Sequence, residues 1–217
     1  MQNIIYFFKI YMYIKKGDIM KQRTINLPNI LTTIRIILVP IIIILLLVDH
    51  YINKTVFTNF SKFVWFFSGA IFIIASLTDF LDGWIARKYN LVTNFGKFFD
   101  PIADKLLVNA TLILFSSLGV LPIWMTVVLI LRDTFIDFIR MILSSNGITL
   151  AAGIGGKLKT TFQMIGLSLL FFVNLKVFGW VELDWQNQLV LLPMYIAIFF
   201  SIYSGVIYFL SAKPNLF

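Results

Sequence analysis

Long apolar runs alternate with short polar segments along this chain, and the pattern repeats six times. The runs cover residues 28–48, 63–83, 94–117, 122–143, 158–180 and 188–211. Each approaches or exceeds the roughly 20 apolar residues that a helix needs to cross a bilayer. The pattern therefore predicts an all-α protein, an integral membrane bundle of six transmembrane helices. Asn26, Pro28 and Asn29 open the first run with helix-start residues. Polar segments are expected at 49–62, at 87–95, around Gly119 and Pro122, at 144–157 and at 181–188. Residues 1–20 form a separate N-terminal piece, broken by Lys9 and too short to span. They read either as an interfacial amphipathic helix or as an extension upstream of a start at Met20. Residues 21–217 form one membrane domain.

Composition agrees with the pattern. The chain of 217 residues is 59% hydrophobic and 13% charged, where soluble domains are roughly 45–50% apolar and about 25% charged. The net charge of +8 would suggest nucleic acid in a soluble protein, but here no nucleic-acid partner is expected. The cations gather between the apolar runs, as cytoplasmic loops do. Lys15, Lys16, Lys21 and Arg23 precede the first run, and Arg87, Lys88 and Lys97 fall between the second and third. Lys157 and Lys159 open the fifth, and Lys213 follows the sixth. The alternate segments hold only Lys54, Lys62 and Lys176. Both termini and the segment after the second run are thus expected on the cytoplasmic side of the cell membrane. The chain has no cysteine, which excludes disulfides and thiolate metal sites. Its one histidine, His50, falls in a polar segment, so histidine-based catalysis is not expected. Carboxylates are left to carry the chemistry.

Four of the ten acidic residues lie between Ser76 and Leu107: Asp79, Asp82, Asp100 and Asp104. The first pair is spaced i, i+3 and the second i, i+4, so each pair shares a helical face. Two helices presenting these carboxylates would form an oxygen-rich cage suited to a hard divalent cation, Mg²⁺ or Mn²⁺. Gly83 leaves room for a ligand near the backbone, Ala86 keeps the same face open, and Arg87 offers a fork for phosphate. Gly96 precedes Asp100 by one turn on the third run.

The ordered pattern Asp79-x-x-Asp82-Gly83-x-x-Ala86-Arg87, eight residues, then Gly96-x-x-x-Asp100-x-x-x-Asp104 resembles the signature of the CDP-alcohol phosphatidyltransferase family at every position. The resemblance implies a six-helix membrane enzyme, a homodimer, dependent on Mg²⁺ or Mn²⁺. Such an enzyme moves a phosphatidyl group from a CDP-linked lipid to an alcohol and releases CMP. It implies Asp79, Asp82, Asp100 and Asp104 as metal ligands, with Asp104 also the general base. Gly83, Arg87 and Thr93 would contact the CDP-lipid, and Asn29 and Thr32 would complete the cytidine pocket.

The acceptor must be read outside that signature. Arg132 and Arg140 lie in the fourth run, and Lys157 and Lys159 open the fifth within Gly-Lys-x-Lys-Thr-Thr-x-Gln, residues 156–163. Four cations near the carboxylates suggest an acceptor with a free phosphate. In the competing reading, Arg132 and Arg140 pair with Asp133 and Asp137, and the lysines are ordinary loop cations. Asp133 stands where the family often has the longer Glu. The opening Asn-Leu-Pro-Asn-Ile-Leu-Thr-x-x-Arg, the Asp-Pro-x-Ala-Asp-Lys run and the Gly-Lys motif are similar to family members that act on sn-glycerol 3-phosphate. The expected substrates are therefore CDP-diacylglycerol and glycerol 3-phosphate, giving phosphatidylglycerophosphate. The alternatives are family members that make cardiolipin or phosphatidylinositol phosphate and, from another class, a membrane transporter.

Overall fold

The described residues form six helices in the order that the apolar runs predict. The computed structural model describes residues 27–52, 59–88, 94–148, 153–173 and 185–215. Within these helices, the side chains of residues 27–29, 79–88, 94–98, 100 and 101 lie outside the description, as do a few others at helix ends. The helices are α1 (Leu27–Ile52), α2 (Asn59–Lys88), α3 (Asn94–Ser117), α4 (Ile123–Ser145), α5 (Ile154–Phe172) and α6 (Trp185–Ala212). A 3₁₀ turn, Lys213–Asn215, follows α6. The N-terminal extension 1–20 and Thr93 lie outside the described residues.

Three of the six helices are long and apolar enough to cross a membrane, in the stretches Ile30–Ile52, Phe60–Thr78 and Gln188–Ala212. The protein is a membrane protein with these as its apolar frame. The other three carry charge within their length, of both signs in α3 and α4 and as Lys157 and Lys159 in α5. The apolar stretch of α2 ends at Thr78, before Asp79 and Asp82, and α1 carries Arg35 and Asp49, so the apolar helices hold charge as well. The apolar frame tolerates Pro40 inside α1 and Pro193 inside α6, as spanning helices can where neighbours satisfy the freed carbonyls.

Helix ends differ from expectation in several places, α2 running on to Lys88 and α5 ending at Phe172, short of the expected residue 180. The predicted polar segment 49–62 is partly helical, because its polar residues tie helices together. Asp49 is buried and accepts hydrogen bonds from Ser61 Oγ (2.6 Å) and Trp65 Nε1 (3.0 Å). His50 therefore sits in the last turn of α1, half-buried and edge-on to Tyr51. The predicted loop 144–157 is also shorter, since α5 begins at Ile154. The turn at Gly119 forms as expected. Its φ of 71° is open to glycine, and Val120 N–H donates to Phe115 O at 2.7 Å.

The core is aromatic at its centre. Phe171 of α5 packs against Phe115 of α3 (ring centroids 4.7 Å) and Phe72 of α2 (5.3 Å). Trp65 stacks on Phe115 at 5.8 Å. Close helix approach depends on glycine here. A Cβ at Gly69 would lie 2.7 Å from Phe171 Cβ, and one at Gly166 would lie 2.6 Å from Met194 Sδ. Arg35, deep in α1, is fully buried, and its Nε donates to Ala75 O at 3.2 Å. It faces the protein interior, as an arginine in an apolar run must. It also pins α1 to α2 one turn before Asp79.

Candidate functional site

The acidic motif is carried by two helices. Asp79 and Asp82 fall in the C-terminal third of α2, and Asp100 and Asp104 in the first half of α3. Helical backbone at both places keeps each pair on one face. The side chains of Asp79, Asp82, Gly83, Arg87 and Asp100 lie outside the described residues, as does that of Asn29. Among the described side chains, no three metal-ligating residues are gathered. Thr32 is completely buried in α1, one turn before Arg35.

Asp104 is described, and it lines a cavity of about 580 Å³. The cavity lies between α3, α4, the start of α5 and the last turns of α6. Arg132, Arg140 and Lys159 line it with Asp104. Lys157, two residues before Lys159, is exposed and is not part of the cavity wall. Two residues are about 200° apart around a helix, so Lys157 and Lys159 face opposite ways.

The cations are held in specific ways. Asp133 sits between two of them. Its Oδ1 accepts from Arg132 Nη1 at 3.1 Å and its Oδ2 from Lys159 Nζ at 2.5 Å. Lys159 is only 4% exposed, so this carboxylate compensates a charge that burial would otherwise disfavour. Arg132 is also fixed by Ser201 O (3.0 Å) and Ser204 Oγ (2.7 Å) of α6. Arg140 lies over the Tyr208 ring at 6.0 Å, within range of a cation–π contact. Asp137 pairs with Lys105 of α3. The expected competition between phosphate binding and pairing is thus divided. Arg132 pairs with Asp133, whereas Asp137 turns to a lysine on another helix. The shorter acid at 133 still reaches both its neighbour and Lys159.

Glycine shapes the entry to α5. A Cβ at Gly155 would lie 3.0 Å from Ser204 Cβ, so α5 starts in close contact with α6. That contact brings Lys159 and Gln163, one turn apart, onto the same wall as Tyr203, Ser204 and Tyr208. Sequence reasoning assigned no role to Gln163, although its spacing from Lys159 is visible in the motif. Tyr203, Ser204 and Tyr208 carry no such signal, because they lie in an apolar helix far along the chain.

The arrangement joins a carboxylate able to accept a proton to a cluster of fixed cations. Oxyanions of phosphate are bound by such clusters. Comparisons with known proteins identify relatives over most of the chain. A family model for CDP-alcohol phosphatidyltransferase matches residues 25–204. The CDP-diacylglycerol–glycerol-3-phosphate 3-phosphatidyltransferase of Bacillus subtilis is 43% identical over 185 residues, covering 85% of this chain and 93% of the relative. The protein of the same name from Rickettsia typhi is 38% identical over 188 residues, 87% of this chain and 97% of the relative. That from Mycoplasma pneumoniae is 36% identical over 204 residues, with 84% and 86% covered.

Proposed function

Because the chain belongs to the CDP-alcohol phosphatidyltransferase family, we propose that it transfers the phosphatidyl group of CDP-diacylglycerol to sn-glycerol 3-phosphate. The products are phosphatidylglycerophosphate and CMP, a step in acidic phospholipid synthesis. One observation carries the acceptor reading: Asp104 shares a cavity with Arg132, Arg140 and Lys159. A carboxylate next to fixed cations suits an acceptor that has both a hydroxyl to deprotonate and a phosphate to hold. Relatives named for glycerol 3-phosphate over most of the chain support the same choice.

In this mechanism Arg132, Arg140 and Lys159 bind the acceptor phosphate and turn its hydroxyl toward Asp104. Asp104 takes the hydroxyl proton as general base. The oxygen attacks the phosphorus that carries the lipid, and CMP leaves. Gly83, Arg87 and Thr93, with Asn29 and Thr32, hold the CDP-lipid. The donor set fits a hard cation: four carboxylates on two adjacent helices, in a chain without thiols and with one distant histidine. Asp79, Asp82, Asp100 and Asp104 would hold Mg²⁺ or Mn²⁺, which when bound neutralises the diphosphate and stabilises the leaving CMP. Lys157 would meet the acceptor on its way in, from outside the cavity. The placement of Lys and Arg along the chain supports a cytoplasmic site, and the family resemblance supports a homodimer working within membrane lipid.

Purified full-length protein with Mn²⁺ or Mg²⁺, CDP-diacylglycerol and a panel of labelled acceptors tests the reading. CMP release with glycerol 3-phosphate, and far less with inositol phosphate or phosphatidylglycerol, is expected. A preference for either of the latter would move the chain to another branch of the family. No CMP with any acceptor would overturn the reading.

A further inference from the structure

Buried polar atoms are almost always hydrogen-bonded, so unmatched ones mark places where something else is meant to bind. Among the described residues, four buried side-chain atoms lack a partner: Ser68 Oγ, Gln163 Nε2, Ser201 Oγ and Tyr208 OH. The serines need no ligand, because a small rotation lets a helical serine bond to the carbonyl of the preceding turn. Gln163 and Tyr208 are too long for that. Both line the same cavity, from α5 and α6, and are only 2% and 8% exposed. Each sits beside a cation. Lys159 is one turn before Gln163, and the Arg140 guanidinium lies over the Tyr208 ring.

We propose that Gln163 and Tyr208 are specificity-determining residues that recognise the central, non-reacting hydroxyl of the acceptor. The inference rests on the glycerol-phosphate reading and deepens it. The cations account for the phosphate, and Asp104 for the hydroxyl that attacks. One hydroxyl of glycerol 3-phosphate is then left, and it both donates and accepts. An amide and a phenol offer both functions. In the free protein the amide nitrogen and the phenol oxygen are unmatched, so an acceptor lacking the central hydroxyl would leave them unmatched in the complex. Sites built around such groups discriminate strongly against the analogue that cannot bond to them.

The test compares glycerol 3-phosphate with 3-hydroxypropyl phosphate, which lacks only the central hydroxyl, as acceptors for the full-length enzyme. Wild-type protein is expected to favour glycerol 3-phosphate by about 100-fold or more in kcat/KM. The near-isosteric Q163M should reduce that preference to about 10-fold or less. Y208F, which removes a single oxygen, should reduce it by a smaller factor. KM for CDP-diacylglycerol should not change. Neither Gln163 Nε2 nor Tyr208 OH holds a hydrogen bond in the free protein, so melting temperatures should stay close to wild type. A variant that keeps the wild-type preference overturns the assignment of its residue. So does one that slows both acceptors equally, or that melts lower by more than about 4 °C, because the side chain would then be structural. Wild-type protein that uses glycerol 3-phosphate without preferring it overturns this inference alone. Wild-type protein inactive with both overturns the functional reading itself.

Discussion

The two ends of the bundle treat buried polar groups in opposite ways. At one end, Asp49 of α1 is buried and receives Ser61 Oγ and Trp65 Nε1 from α2. At the other, the cavity beside Asp104 is lined by Gln163 and Tyr208, whose Nε2 and phenol oxygen have no hydrogen-bond partner. Eighteen residues of α2 separate Ser61 from Asp79, roughly 27 Å of helix. Both ends use carboxylates and hydroxyls, so residue type does not distinguish them. Satisfaction does. Groups that find partners within the protein stabilise the fold, whereas groups held in place without partners are available to a ligand. The ion triad of Arg132, Asp133 and Lys159 belongs to both kinds, since it is internally compensated yet lines the cavity.

Substitutions at the two ends should therefore separate activity from stability. The largest effect is expected for Asp104→Asn. Loss of the general base should lower kcat by about 10³-fold or more, while CDP-diacylglycerol binding persists in a lipid-binding assay. Normal turnover would remove Asp104 from that role. At the opposite end, Asp49→Ala leaves a buried indole N–H and a hydroxyl without their acceptor. The expected cost is about 3 kcal/mol of stability, read as a lower melting temperature, with KM for both substrates unchanged. A selective rise in either KM would mean that the two ends are coupled.

Lys159→Ala should come next. It removes a charged contact from the cavity and should raise KM for glycerol 3-phosphate by about 30-fold, with KM for CDP-diacylglycerol within about 2-fold of wild type. Lys157→Ala should have a clearly smaller effect, because Lys157 faces away from the cavity. The reverse order would show that the acceptor binds outside the cavity wall. The smallest effect concerns the packed middle of the bundle. Gly69→Ala puts a methyl against the Phe171 backbone-proximal Cβ and should cost about 1–2 kcal/mol. Gly166→Ala meets the flexible thioether of Met194 and should cost less. Thermal melting of the two variants decides between them.

Much of the fold was legible because membrane helices are specified by long apolar runs, a signal that needs no partner to be read. Each of the six described helices overlaps the run that predicted it. Their ends were less legible. Asp49 and His50 look like loop residues until Ser61 and Trp65 are seen to meet Asp49 across the turn. Of the acidic motif, the helical spacing was legible, and α2 and α3 keep helical backbone at its four acids. The acceptor side was legible only in part. Gly-Lys-x-Lys marked the start of α5, but two lysines two residues apart look alike in sequence, and helical geometry turns only one of them into the cavity.

The sequence by itself determined an all-helical membrane protein, the absence of thiols, and the order of the acids along α2 and α3. Those properties follow from composition and from spacings within one element. Only the tertiary structure decided which cations face Asp104, that Asp133 joins Arg132 to Lys159, and that Gln163 and Tyr208 lie unmatched on one cavity wall. These depend on α4, α5 and α6 packing side by side, helped by Gly155 and Gly166 at the α5–α6 contact. Contacts between residues far apart in the chain leave no periodic trace in the sequence.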